Sequence, residues 1–395
     1  MLADPATVTD LAERARASGR LGIDTEFMGE GRYQPLLCLA QIAVEEADGT
    51  ITVAVLDPFD EALDPAPLAA LLADPAVEIV FHAGRQDVSL LRRVWDTEVT
   101  SIFDTQVAAG FAGLRAQLGY EALLHEMLGV RLRKSASFTR WDARPLSTEQ
   151  VDYAREDVLH LLQLADALQA ALADRGRLEW AREECRVLEE ASDERDPDAL
   201  FARLPRVNGL DPAQRAVARE LVAWRERTAQ DADRPASSVL QDAALIEIAK
   251  RRPRTPERLA QIRGLHEGTL RRRGPAILAA VARGREQPPI PVDGQRPTHP
   301  DPGDAPLIAL GEALVRARAT EAELAYELIA AKADLQRVVT AVRTDEEDAD
   351  VRTLQGWRRA VVGEELLELL RGRRALRVGP GRRIEVTERG APGGG

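Results

Sequence analysis

The sequence predicts an α/β domain with a mixed sheet over residues 1–190, followed by two all-α segments. Three observations carry that expectation. Short β-rich runs cluster before about residue 105 and then cease, apolar residues at three- and four-residue spacing fill the remainder, and two breaks in composition divide the chain. A length of 395 residues allows two to four domains at ~100–200 residues each.

The runs Leu21–Phe27, Leu36–Val44 and Ile51–Leu56 lie close together, and Asp48-Gly49 between the second and third reads as a hairpin turn, so three successive antiparallel strands are expected. A helix over Pro67–Leu72 leads to a fourth strand, Val77–Phe81, and a helix from Gly84 to Trp95. A helix between strands can return the chain parallel to the sheet, which makes the sheet mixed. From Gly119 onward the pattern is helical: Ala122–Leu128, one long helix Thr148–Ala173 with Ser147 as N-cap, then Leu178–Glu190. The acidic stretch Asp193–Asp198 is the first break. The second, over 287–303, is a proline-rich linker; seven prolines fall between Pro288 and Pro306, a composition that stays extended. Helical segments occupy 209–286 and 304–378, and 379–395, ending in three glycines, is expected to be a disordered tail.

At 45% hydrophobic and 30% charged residues the composition is that of a globular chain, and no stretch approaches the ~20 uncharged apolar residues of a membrane helix. The first twenty residues lack the apolar block of a secretory signal, and Cys38 and Cys185 alone supply neither a disulfide framework nor a thiolate zinc site. A cytoplasmic location is expected. The net charge of −12 is uneven: residues 1–190 hold 18 basic and 33 acidic side chains, whereas 209–286 hold 16 and 10. An acidic module that does chemistry beside a basic module that grips an anion would show this asymmetry.

The acidic module carries a pattern. In Ile23-Asp24-Thr25-Glu26-Phe27, strand periodicity sends Asp24 and Glu26 to one face, where two like charges are costly unless a cation lies between them. Asp87 follows in Phe81-His82-Ala83-Gly84-Arg85-Gln86-Asp87 at a strand-to-helix junction, where His82 reads as a packing or hydrogen-bonding residue. Tyr153 and Asp157 share one helical face. Four carboxylates from a strand, a junction and a helix are what hard divalent cations take as ligands.

Together with Tyr33-x-Pro35, Gln41-Ile42, Phe103-Asp104-Thr105-Gln106, Gly119-Tyr120, Lys134-Ser135 and Trp141-x-x-Arg144-Pro145-Leu146, these motifs resemble the DEDD superfamily of 3′-5′ exonucleases in its tyrosine subclass, and within it the ribonuclease D family. Thr139-Arg140 departs from the Ser-Asp usual there. The position that is histidine in the other subclass is Asp152. Residues 209–286, with Arg234-Pro235-Ala236, Pro253 and Ile262-x-Gly264-Leu265, resemble an HRDC domain, and 304–378 resemble a second, more degenerate copy.

The resemblance implies a ribonuclease H-like (DnaQ-like) fold for the first domain. It also implies a metal-dependent 3′-5′ exoribonuclease that trims tRNA precursors and other small structured RNAs to release 5′-mononucleotides. Asp24, Glu26, Asp87 and Asp157 would hold two Mg²⁺ or Mn²⁺ ions, and Tyr153 would orient the attacking water, with Glu26 counted beside it in the catalytic set. Lys250, Arg251, Arg252 and Arg254 are candidate phosphate contacts. The alternatives are a DNA exonuclease, because carboxylates do not distinguish the sugars, and a catalytically silent RNA-binding scaffold. No protein partner can be named from the sequence. A chain ending near Arg206 is expected to keep cleavage of short oligonucleotides.

Overall fold

The computed structural model describes residues 2–115, 117–132, 140–291, 301, 303–346 and 349–388. Helix α1 (Pro5–Ser18) opens the chain, an element absent from the sequence reading although its signals are local. Asp4 accepts from the Thr7 amide at 2.8 Å, and Gly19 closes the helix in the left-handed region at φ 73°. Strands β1 (Arg20–Met28), β2 (Leu36–Glu45) and β3 (Ile51–Leu56) follow, with Asp48-Gly49 turning β2 into β3 as expected. Then come α2 (Ala66–Leu72), β4 (Glu78–Phe81), α3 (Arg85–Trp95), β5 (Ile102–Asp104), α4 (Thr105–Phe111) and α5 (Tyr120–Leu128). The sheet order is β3-β2-β1-β4-β5; β1 runs antiparallel to β2 and parallel to β4, and β5 is parallel to β4. The sheet is mixed, as the pattern implies.

The long helix expected over 148–173 is two helices, α6 (Thr148–Leu159) and α7 (Leu161–Asp174), broken at His160, whose φ of −109° is not helical. The break leaves Asp157 in the last turn of α6. Ser147 caps α6 in a capping box, with Gln150 N donating to Ser147 Oγ at 3.2 Å and Ser147 N to Gln150 Oε1 at 3.0 Å. Helix α8 (Leu178–Glu189) ends this region. One face of the sheet buries Ile23, Ile79 and Phe81 against α1, α2 and α3. The other packs Ala43 and Val80 on α4, α5 and α7.

Helices α9 (Pro197–Ala202), α10 (Pro212–Asp231), α11 (Ala236–Val239), α12 (Asp242–Arg251), α13 (Pro256–Ala260) and α14 (Glu267–Glu286) share a core of Leu221, Trp224, Leu245, Ile248 and Ile277. Tyr33, from the loop after β1, is part of that core, and Arg32 meets Asp233 at 2.6 Å. Most of the proline-rich stretch, 292–300 and 302, lies outside the described residues.

The last unit is α15 (Asp304–Glu321), α16 (Tyr326–Ile329), α17 (Lys332–Arg343) and a continuous run of α18 (Gly356–Arg358), one π turn (Arg359–Gly363) and α19 (Glu364–Leu370). It then departs from the all-α expectation. Strands β6 (Arg374–Val378) and β7 (Ile384–Glu388) form an antiparallel hairpin, so part of the expected disordered tail is structured, while 389–395 lie outside the described residues. The alternation Ile384-x-Val386 is the overlooked signal: Val386 and Leu376 pack on the helical core, which holds the hairpin in place.

This unit shares one hydrophobic core with the nuclease domain: Leu314, Val338, Trp357 and Leu366 pack in the same cluster as Phe111, Leu123 and Leu164. Leu328 fills the space over Gly110 so closely that a Cβ there would lie 2.7 Å from its Cδ1. A cut near Arg206 would strip one wall from the nuclease core, which counts against the expectation that such a chain keeps cleavage of short oligonucleotides.

Candidate active site

Strand periodicity does what the sequence implies at β1. Gly22, Asp24 and Glu26 face α6 and α7; a Cβ on Gly22 would touch Leu162 of α7 at 3.4 Å. Ile23 and Thr25 face the opposite layer and are buried. From there the Thr25 hydroxyl donates to Asp87 Oδ1.

Asp87 is presented by the junction between β4 and α3, where Ala83 takes φ 57° and Gly84 stands where a Cβ would lie 2.5 Å from that of Phe81. The junction is clamped by Asp104, 1% exposed, which accepts from Ala83 N at 3.2 Å, Gly84 N at 2.8 Å, Gln106 N at 2.8 Å and Val107 N at 3.2 Å. Thr105 Oγ1 adds a bond to the Phe81 carbonyl at 3.0 Å and meets His82 Nδ1 at 2.9 Å. Asp104 thus caps α4 and, with Thr105, fixes the approach of Asp87. The sequence shows them only as a Phe-Asp-Thr-Gln match, because the distance between the two junctions is set by sheet pairing.

Helix α6 brings Tyr153 and Asp157 to the same place, with the Tyr153 ring stacked on Trp141 at 6.0 Å. The four carboxylates lie close enough to repel one another. Burial, then Asp87, Asp157 and Glu26, push Asp24 well above the usual carboxylate range. Glu26 rises to about 8 through burial and repulsion from Asp157 and Asp87. Burial raises Asp157 to about 7 and Asp87 to about 6, the latter opposed by the Thr25 hydrogen bond. Tyr153 rises to about 12 through burial and then Asp157, so near neutral pH it keeps its proton and acts as a donor.

Among the described residues no arginine or lysine pairs with any of the four. Arg144 is taken by Asp57 at 2.6 Å and Arg155 by the Val53 carbonyl at 2.9 Å. Nor, among the described residues, do three or more acidic, His or Cys side chains stand at metal-ligand spacing. Four carboxylates without a compensating base repel one another, and an all-carboxylate donor set is the one that hard divalent cations take. The residues fit that group.

Both polar side-chain atoms of the buried Gln41 lack hydrogen-bond partners here. Burial, then Asp157, raises the Tyr120 phenol, which lies beside the carboxylates. The basic candidates are elsewhere, at the C-terminal end of α12.

Comparison with known proteins gives the family of the chain. Residues 1–173 match the model of a 3′-5′ exonuclease family and 214–281 that of the HRDC domain. Ribonuclease D of Gluconacetobacter diazotrophicus is 38% identical over 94% of this chain and 92% of its own. That of Granulibacter bethesdensis is 38% identical over 93% and 91%. The crystal structure of Escherichia coli RNase D, described as an exoribonuclease involved in structured RNA processing, superposes with a TM-score of 0.80 at 27% identity. It covers 94% of this chain and 98% of that one. With four uncompensated carboxylates at one end of a mixed sheet and relatives matched along nearly its whole length, the chain belongs to the ribonuclease D family of 3′-5′ exonucleases.

Proposed function

We propose that the chain trims the 3′ ends of structured RNAs, tRNA precursors among them, one 5′-mononucleotide at a time. The observation that carries this reading is the convergence of Asp24, Glu26, Asp87 and Asp157, unpaired with any base, beside a tyrosine that stays protonated. Two divalent cations, Mg²⁺ or Mn²⁺, held by these four would supply Lewis acidity toward the scissile phosphate and a more acidic water. Tyr153 donates its phenol hydrogen bond and orients the attacking oxygen, its ring fixed by Trp141. Glu26, one pleat beyond Asp24, completes the carboxylate set on that face of β1. Thr25 orients Asp87 from behind.

Tyr153→Phe keeps the stack on Trp141 and removes the hydroxyl alone. Single-turnover hydrolysis of a short oligoribonucleotide is expected to fall roughly 10²–10³-fold, in the range of a lost catalytic hydrogen bond. Unchanged turnover would reduce Tyr153 to a packing residue. Matched RNA and DNA oligomers with free and blocked 3′ ends, in Mn²⁺, test the reading as a whole; preference for DNA, or cleavage of blocked ends, would overturn it.

For the grip on RNA the basic cluster at the end of α12 is refined. Arg251 is engaged with Glu247 at 2.6 Å, whereas Arg252 and Arg254 stand with Arg285 of α14. Partial desolvation and then repulsion from Arg254 and Arg252 lower Arg285, and among the described residues no carboxylate pairs with these three. Unpaired cations held together suit a phosphate backbone better than a solvated helix end. Replacing Arg252, Arg254 and Arg285 by Ala is expected to weaken tRNA binding and flatten its salt dependence by about 2 in slope, at ~0.7 per phosphate. An unchanged slope in filter binding would move the RNA path elsewhere.

A further inference from the structure

Gln41 lies in the middle of β2, directly opposite Asp24 on β1. Opposed residues of an antiparallel pair share a face, so Gln41 points with Asp24 toward α6. It is 0% exposed, and neither its Oε1 nor its Nε2 has a hydrogen-bond partner. Its neighbours on that face, Leu39 and Ala43, are wholly buried and apolar. A primary amide among such residues weakens the fold, since a side chain of equal volume without polar atoms would pack there at no desolvation cost. A buried polar group held at a cost beside a functional carboxylate calls for a functional reason.

We propose that Gln41 is a positioning residue for Asp24: its amide N–H, which bonds nothing in this structure, turns to donate to the carboxylate opposite it and fixes the orientation of that carboxylate toward a bound divalent cation. The proposal rests on the metal reading given above. Opposed Cβ atoms in such a pair lie about 4.5–5.5 Å apart, within the reach of a glutamine side chain. A hydrogen bond to a carboxylate is stronger than one between neutral groups, so a single amide donor can hold the carboxylate in one orientation. The sequence marks Gln41 only as part of a Gln-Ile motif and gives it no role. Only the register of β2 against β1 sets it beside Asp24.

The test uses the full chain and two variants: Gln41→Met, which keeps volume and removes the amide, and Gln41→Asn, which keeps the amide and shortens its reach. For each, the thermal midpoint is measured in EDTA and along a Mn²⁺ titration, and the Mn²⁺ concentration for half-maximal hydrolysis of a short oligoribonucleotide is determined. Gln41→Met is expected to melt at or above the parent in EDTA and to need about 10–100-fold more Mn²⁺, the usual loss for a group that orients a ligand. Saturating Mn²⁺ should return its turnover to within a few-fold of the parent. Gln41→Asn should fall between the two. A Gln41→Met protein with the parent's Mn²⁺ dependence overturns the proposal and leaves the metal reading standing, whereas a parent whose midpoint and hydrolysis ignore Mn²⁺ overturns both. If both variants melt well below the parent in EDTA, the amide is structural and the proposal also fails.

Discussion

Asp24→Asn is expected to lower hydrolysis by roughly 10³-fold or more while leaving the metal-free fold as stable as the parent or more so. A metal ion at a phosphoryl centre is worth several kcal/mol of transition-state stabilisation, and each ~1.4 kcal/mol is tenfold in rate. The stability half follows from the carboxylates. Asp24 is raised by burial and by three carboxylate neighbours, and Glu26, Asp157 and Asp87 stand at about 8, 7 and 6. All four bind protons more tightly in the folded than in the unfolded chain. Their contribution to stability is therefore complete below the unfolded value near ~4 and is lost as pH rises through 6 to 8. Asn at position 24 removes one charge from that repulsion and flattens the loss. For the same reason cations compete with protons, so the parent's Mn²⁺ affinity should rise with pH across this window. Melting in EDTA at pH 5 and pH 8, with Mn²⁺ titrations at each, checks both halves. An active Asp24→Asn protein, or one that unfolds in EDTA where the parent does not, would remove Asp24 from the ligand set.

Trp357→Ala is expected to lower the unfolding free energy by about 3–5 kcal/mol, the range for deleting a buried aromatic side chain, against a total of about 5–15. Trp357 is 3% exposed, meets Phe111 of α4 edge-on at 4.9 Å and stacks on Trp180 of α8 at 5.7 Å. Beside it Arg358 binds the Leu328 carbonyl and Glu184, each at 2.6 Å, and Arg177 of the nuclease domain reaches the Ala322 carbonyl. Because these contacts join two units in one core, the loss should appear as one shifted transition of the whole chain, with an unchanged denaturant slope. A separate early transition, with the nuclease domain melting as before, would show that the C-terminal unit folds alone. A chain cut before Asp304 should be less stable still.

Elements whose signals are local were legible. The apolar runs of β1 to β4, the Asp48-Gly49 turn and the Ser147 cap each depend on a few adjacent residues, and the structure places them where the pattern does. Asp24, Glu26, Asp87, Tyr153 and Asp157 were legible as residues because ordered motifs name them. Strand and helix periodicity also settled that Asp24 shares a face with Glu26, and Tyr153 with Asp157. Short or edge elements were lost: β5 has three residues, and the β6–β7 hairpin holds together only because Leu376 and Val386 find a helical core. What joins distant segments was decided by tertiary structure alone. Asp104 clamps the Asp87 junction because β5 pairs with β4, and Gln41 stands beside Asp24 because β2 registers on β1. Trp357 reaches Phe111 because the last helical unit buries its apolar face on the nuclease domain instead of closing on itself. A sequence states which side chains must leave water, and strand register and helix packing then choose which of them meet.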